Sequence, residues 1–262
     1  MLKFHLIDTG QFLADGGVMF APIPKKYWLR KYPADVHNMC VLKMRCVFLV
    51  TENRRILIDP GVGDKQLSKL KHYHFHDLKN VVDEIRNIGF ESHEITDVVL
   101  SHLHFDHCGA GTIFDESKTA IPTFPNATYH LSRKQWDNYR NPSLFEAGSF
   151  FSENIEPVYE AGQLHFVEND MELTPDCRLK LFDGHTPGQT VVFFETKNEA
   201  FVYAGDVVPT SLNLSVGWLS GVDNCATLAY SEKERLFELI KSEGRGRKFV
   251  FYHDAYKKWS GL

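Results

Sequence analysis

The segment Ser101-His102-Leu103-His104-Phe105-Asp106-His107 sets four metal-ligating side chains within six residues, directly after the apolar run Thr96-Asp-Val-Val-Leu100. Neutral imidazoles and a carboxylate are the donors that zinc and other borderline divalent ions accept. If the strand stays extended, His102 and His104 project to the same side. A turn after them can present Asp106 and His107 to a second ion nearby. Further donors follow at the ends of later apolar runs: Gly184-His185 after Leu179–Asp183, Gly205-Asp206 after Phe201-Val-Tyr-Ala204, and His253-Asp254 after Phe249-Val-Phe-Tyr252. One such His or Asp is ordinary as a cap or turn residue, but its repetition at strand ends is where a rigid scaffold displays reactive groups.

The scaffold that must hold these residues is rich in strands: β-branched and aromatic runs predict them at 3–8, 40–51, 54–59, 96–101, 127–131, 178–183, 189–195, 199–205 and 248–253. Helical spacing covers Leu78–Ile88. Ser132 is placed to cap a helix over 133–140, and Ser231 a helix running to about Ser242. Strands outnumber helices and are interrupted by them irregularly, an α/β pattern with sheets buried between helices. No repeat or linker divides the chain, so residues 1–262 read as one domain. Asp15–Pro33, with Gly16-Gly17, three prolines and several aromatics, reads as a covering segment or as a lid over a cleft.

The ordered pattern Asp59-Pro-Gly61, His102–His107, Gly184-His185, Asp206, His253 resembles that of the metallo-β-lactamase superfamily over nearly the whole chain. The resemblance implies an αββα sandwich, two mixed β-sheets flanked by helices, with metals at one edge between the sheets. It implies that His102, His104 and His185 hold a first metal, that Asp106, His107 and His253 hold a second, and that Asp206 bridges. Asp59 resembles the carboxylate that orients a ligand histidine. Two divalent ions per chain are implied, Zn2+ first, with Mn2+ or Fe2+ as alternatives. The expected chemistry is hydrolysis of an ester, lactone or related small-molecule bond by a hydroxide bridging the two ions, with Asp106 shuttling the proton. Asp15-Gly-Gly17-Val-Met-Phe20 and Leu57–Gly61 look closest to the lactonase-like and phosphotriesterase-like branch. Pro209 stands where N-acyl-homoserine lactonases often carry a tyrosine. Phosphotriester hydrolysis, phosphodiester or RNA hydrolysis, and a metal-binding sensor of weak turnover are the alternative readings.

Composition narrows the rest. Formal charge is −5 with 43% hydrophobic residues among 262, a balance that argues against a nucleic-acid partner; a small-molecule substrate is what the resemblance implies. No apolar run has membrane-spanning length, and no signal-peptide core opens the chain. Five scattered cysteines without a Cys-x-x-Cys pair suggest a reduced, cytoplasmic setting; a homodimer stays open. His72-Tyr-His74-Phe-His76 has ligand-like spacing but lies in a polar stretch and reads as exposed. The expected pocket walls are Met19–Leu29 and the stretch with Leu212, Leu214, Val216 and Trp218, an apolar lining suited to neutral substrates. Lys25, Lys26, Lys257 and Lys258 are the residues that would select an anion instead.

Overall fold

A computed structural model describes residues 2–261. Its strands are β1 Lys3–Asp15, β2 Met39–Val50, β3 Arg55–Ile58, β4 Asp97–Val99, β5 Thr112–Phe114, β6 Ala120–Pro122, β7 Thr128–Ser132, β8 Leu164–Val167, β9 Met171–Thr174, β10 Cys177–Phe182, β11 Gln189–Glu195, β12 Ala200–Tyr203, β13 Arg247–Val250 and β14 Trp259–Gly261. The α-helices are α1 Gly16–Met19, α2 Lys25–Trp28, α3 Val81–Asn87, α4 Phe105–Cys108, α5 Arg133–Arg140, α6 Glu156–Glu160 and α7 Ala226–Ser242.

Two six-stranded sheets form, in the orders β1-β2-β3-β4-β7-β8 and β14-β13-β12-β11-β10-β9, with β5-β6 a separate hairpin. Both sheets are mixed. In the first, β1-β2 and β2-β3 are antiparallel and β3-β4, β4-β7 and β7-β8 parallel. In the second, only β12-β13 is parallel. Strand periodicity sorts the side chains into layers. Val192 and Phe194 of β11 join Leu42, Met44 and Leu49 of β2 in the core between the sheets. Val191 and Phe193, one residue out of step, pack with Leu236, Phe237 and Ile240 of α7 on the outer face. On the other side Phe48 and Val98 pack with Ile85 of α3, Trp136 of α5 and Val158 of α6. The arrangement is helix, sheet, sheet, helix.

All nine expected strands are present, although β1 runs on to Asp15 and pairs with β2 along its length past an irregularity between Asp8 and Gly10. Helix α5 starts as expected, with Ser132 accepting from the Gln135 amide. The other two helices differ. Helix α3 begins at Val81 because Asn80, not a residue near Leu78, caps it. Helix α7 begins at Ala226, five residues before the expected cap. Ser231 lies inside it and donates to the Leu228 carbonyl, the alternative use of a serine hydroxyl within a helix. The first turn of α7 lies directly on the loop before His185: any Cβ at Gly184 would fall 2.3 Å from Ala229 Cα.

Segment 15–33, expected as a covering segment or a lid, lines the cleft over the site with Asp15, Val18 and Met19. Short helices α1 and α2 and the residues just after them bury Met19, Phe20, Trp28 and Tyr32 in the core between the sheets, leaving Val18, Tyr27 and Leu29 exposed.

Candidate metal centre

The site lies at the C-terminal ends of strands in both sheets. Beyond β3 comes Asp59, beyond β4 Ser101 and His102, beyond β10 His185, beyond β12 Asp206, and beyond β13 His253. The Thr190 amide donates to the Ser101 carbonyl at 2.7 Å, joining the two sheets where the donors converge. Gly205 fits there because its φ is +48° and a Cβ would meet Gln189 Nε2 at 2.6 Å. With glycine the backbone can pass under Ser101 and deliver Asp206.

Seven side chains meet here. His102, His104, Asp106, His107, His185 and His253 are buried; the Asp206 side chain is 11% exposed. Each imidazole has one nitrogen held from outside. Ser101 Oγ lies 2.9 Å from His102 Nδ1, Glu146 Oε1 2.9 Å from His104 Nε2, Asp59 Oδ2 2.8 Å from His107 Nδ1, Asp223 Oδ1 3.0 Å from His185 Nδ1, and the Lys43 carbonyl 2.8 Å from His253 Nδ1. The opposite nitrogens turn inward and face one another. His104 Nδ1 is 3.2 Å from His185 Nε2, and His107 Nε2 is 3.3 Å from His253 Nε2.

Asp206 sits between the two groups. Its Oδ2 is 3.5 Å from His185 Nε2, and its Oδ1 is 3.4 Å from His107 Nε2 and 3.2 Å from His253 Nε2. Asp106 Oδ2 lies 3.5 Å from His253 Nε2. His102 Nε2 and Asp206 Oδ1 are buried without a hydrogen-bond partner. Lone pairs facing each other across about 3 Å, with two polar atoms orphaned, are costly unless a cation lies among them. His102-His104-His185 and Asp106-His107-His253 each offer donor atoms close enough to share one ion. The donor set therefore fits divalent cations.

The electrostatics agree. Burial, then the neighbouring imidazoles, holds His102 well below its ordinary pKa, and burial lowers His104. Burial opposes the charge on Asp206, but His253 and His107 outweigh it and drive its carboxyl well below the usual range. Burial likewise opposes protonation of His107, yet the Asp206 and Asp106 carboxylates raise its pKa well above normal. Those carboxylates demand positive charge, which a proton supplies when a cation does not.

Asp59 is tied by four donors: the Ser101 amide and hydroxyl, His107, and the Tyr203 hydroxyl at 2.6 Å. Its backbone takes φ +49°, a left-handed conformation that Asp tolerates better than most residues. Composition and spacing had not marked Ser101, Glu146, Asp223, Tyr203 or the Lys43 carbonyl as part of the site. Each lies next to, or far in sequence from, the residue it holds, and none belongs to a local pattern. His72 and His74, by contrast, are exposed, and none of the trio falls in a group of donors that could share an ion among the described residues.

A cleft of about 710 Å³ opens over this centre. Its floor carries His104, Asp106, His185, Asp206 and His253, and its walls include Phe12, Leu13, Met19, Leu42, Leu70, Tyr73, Phe105 and Phe145. The expected wall after Asp206 is a correction. Leu212 and Trp218 pack on the core between the sheets, and Leu214 and Val216 on the α7 side. Capping of Thr210 and Asn213 by each other turns that stretch away. Pro209 is buried, its carbonyl accepting from the His253 amide; the cleft's tyrosine comes instead from Tyr73, after β3.

A family model described as the metallo-beta-lactamase superfamily matches residues 45–252. The chain belongs to the metallo-beta-lactamase superfamily. Among curated members it is similar to an N-acyl homoserine lactonase of Bacillus thuringiensis, 24% identical over 272 aligned positions that cover 98% of this chain and 95% of the relative. Over 66% of this chain and 60% of the relative it is 33% identical to an N-acyl homoserine lactonase of Agrobacterium fabrum. Among solved structures, a probable metal-dependent hydrolase from Staphylococcus aureus superposes with TM-score 0.90 at 24% identity, covering 99% of this chain and 92% of that one. A dizinc quorum-quenching lactonase in complex with a product gives TM-score 0.79 at 20% identity, covering 99% and 90%. These superpositions establish the superfamily's fold for the chain.

Proposed function

We propose that this protein, one domain over residues 1–262, is a binuclear zinc hydrolase of the cytoplasm that opens neutral lactones or esters with an apolar body. The observation that carries the reading is the set of five imidazoles whose outer nitrogens are each held, with the inner nitrogens of His107, His185 and His253 gathered on Asp206 and His104 Nδ1 facing His185. In this reading His102, His104 and His185 would hold the first ion, Asp106, His107 and His253 the second, and Asp206 would serve both. When bound, the ions supply water of lowered pKa and polarisation of a scissile carbonyl oxygen. The chain's own residues do the rest. Asp59 keeps the His107 proton on Nδ1, so Nε2 stays a free donor. Asp106, at the cleft floor, takes a proton and returns it to the leaving oxygen. Tyr73, whose phenol is pushed further above its ordinary pKa by burial, offers a neutral hydrogen-bond donor in the wall. No lysine or arginine lines the cleft among the described residues, and Lys25, Lys26, Lys257 and Lys258 are all outside the lining, which favours uncharged substrates. The curated relatives named as N-acyl homoserine lactonases support the lactone.

The test is elemental analysis of zinc-reconstituted protein together with initial rates on matched lactones, aryl esters, phosphotriesters and thioesters. Two zinc ions per chain and a lactone or ester preference support the reading. One ion or none, or no turnover of any lactone or ester, would sink it.

A further inference from the structure

We propose that Glu146 is the positioning residue of His104 and that, through it, the cleft wall Phe145–Ser149 is joined to the first metal position. The inference rests on the metal-centre reading above. His104 differs from the other four imidazoles: its Nδ1 faces inward and its Nε2 outward. The outward atom is thus the far end of the ring, and the acceptor must come from a distant segment. Glu146 supplies it, from the loop between α5 and α6, and is itself only 4% exposed.

One carboxylate there gathers four donors. Oε1 accepts from His104 Nε2 and from the Thr186 hydroxyl; Oε2 accepts from Asn138 of α5 at 2.9 Å and from the Asn224 amide. Thr186 follows His185, and Asn224 follows Asp223, which holds His185. A single side chain therefore fixes the ring of His104, braces the segments on both sides of His185 and anchors α5. The wall rides on the same residue: Phe145, Gly148 and Ser149 line the cleft, and the Phe150 ring lies 5.6 Å from that of His104. Only a carboxylate satisfies all four donors, because both its oxygens accept. A glutamine would turn one amide group either toward His104 and Thr186 or toward the two asparagine amides, leaving donors unpaired.

The test uses full-length Glu146→Gln beside the wild type, with Co(II) titrations followed by absorption and with kcat and KM on a short neutral lactone or ester. Expected is a loss of about 10- to 100-fold in Co(II) affinity at the first position, the usual effect of removing a partner behind a ligand histidine. The second position should keep its affinity, the absorption band of the first should shift, and kcat should fall with KM little changed. Wild-type affinities and spectrum in Glu146→Gln overturn the proposal. So does equal weakening of both positions with a lowered melting temperature, the mark of a fold-only role. Should the variant not fold, nitrogen-15 histidine spectra of the zinc-loaded wild type decide. One imidazole protonated at Nε2 and slow to exchange supports Glu146 on His104; a solvent-rate exchange there overturns it. Wild-type protein that binds no Co(II) defeats the metal-centre reading itself, which separates that failure from this one.

Discussion

Asp206 is the residue on which the binuclear reading turns, since its two oxygens face different sets of imidazoles. Asp206→Asn should weaken both ions, because an amide is a poorer donor than a carboxylate and cannot offset cationic charge. Retention of two ions at wild-type rates would reduce Asp206 to a turn residue. The histidines give a contrast within one experiment. His102→Ala should cost one ion and nearly all turnover. His74→Ala should cost neither, since His74 is exposed, and metal lost in both variants would reveal a site in the 72–76 stretch. At this scale the sequence was informative where donors cluster or close a strand: His102 to His107, His185, Asp206 and His253 stand out by type and place. Glu146 and Asp223 do not. A carboxylate that acts through one hydrogen bond to a residue 42 positions away leaves no periodic or compositional mark.

Elements were legible in proportion to their burial. Strands β2, β11 and β12 bury both faces and read as apolar runs, whereas β8, β9 and β14 are short, half-exposed edge or near-edge strands and escaped the reading, as did the hairpin β5-β6. Strand β4 shows how a buried element is tied in place. Asp97, wholly buried, accepts from Arg54 at 2.6 Å and from the Thr96 hydroxyl, and pairs with His130 of β7 at 2.8 Å. Burial raises its pKa, but His130, Thr96 and Arg54 outweigh burial and leave it below the normal carboxylate value. A depressed folded pKa means stabilisation that is present above the unfolded value of about 4 and lost as the pH falls through the folded one. Asp97→Asn should therefore cost about 1–3 kcal/mol near neutral pH, from donors left without a charged acceptor. The deficit against wild type should shrink in acid. Denaturant melts of both proteins from pH 7 down to pH 3 measure this, and a pH-independent difference would assign the loss to packing.

For the whole molecule, the two sheets meet at an edge where the polar centre is the floor of an apolar cleft, and α1 and β1 of the first sheet supply much of the wall. Segment 15–33 was legible as something that covers, but its burial as two packed helices was not, because proline and glycine mark turns without saying what the intervening aromatics will touch. Wall composition decides selectivity among substrates that the centre could attack. The cleft lining carries Phe145 at 64% exposure, an apolar side chain that loses water contact only when a substrate body lies against it. Each methylene removed from water contributes about 0.8 kcal/mol when fully covered, and a wall contact covers a part of that. Phe145→Ala should thus raise KM for long acyl or aryl substrates by roughly fivefold, near 1 kcal/mol, while leaving short substrates, metal content and melting temperature unchanged. Because no lysine or arginine lines the cleft among the described residues, matched neutral substrates should also outrun anionic ones in both proteins. Steady-state rates over a chain-length series of neutral esters, each with an anionic counterpart, measure the two effects together. A preference for the anionic set, or a KM change independent of chain length, would place the substrate body somewhere other than this wall.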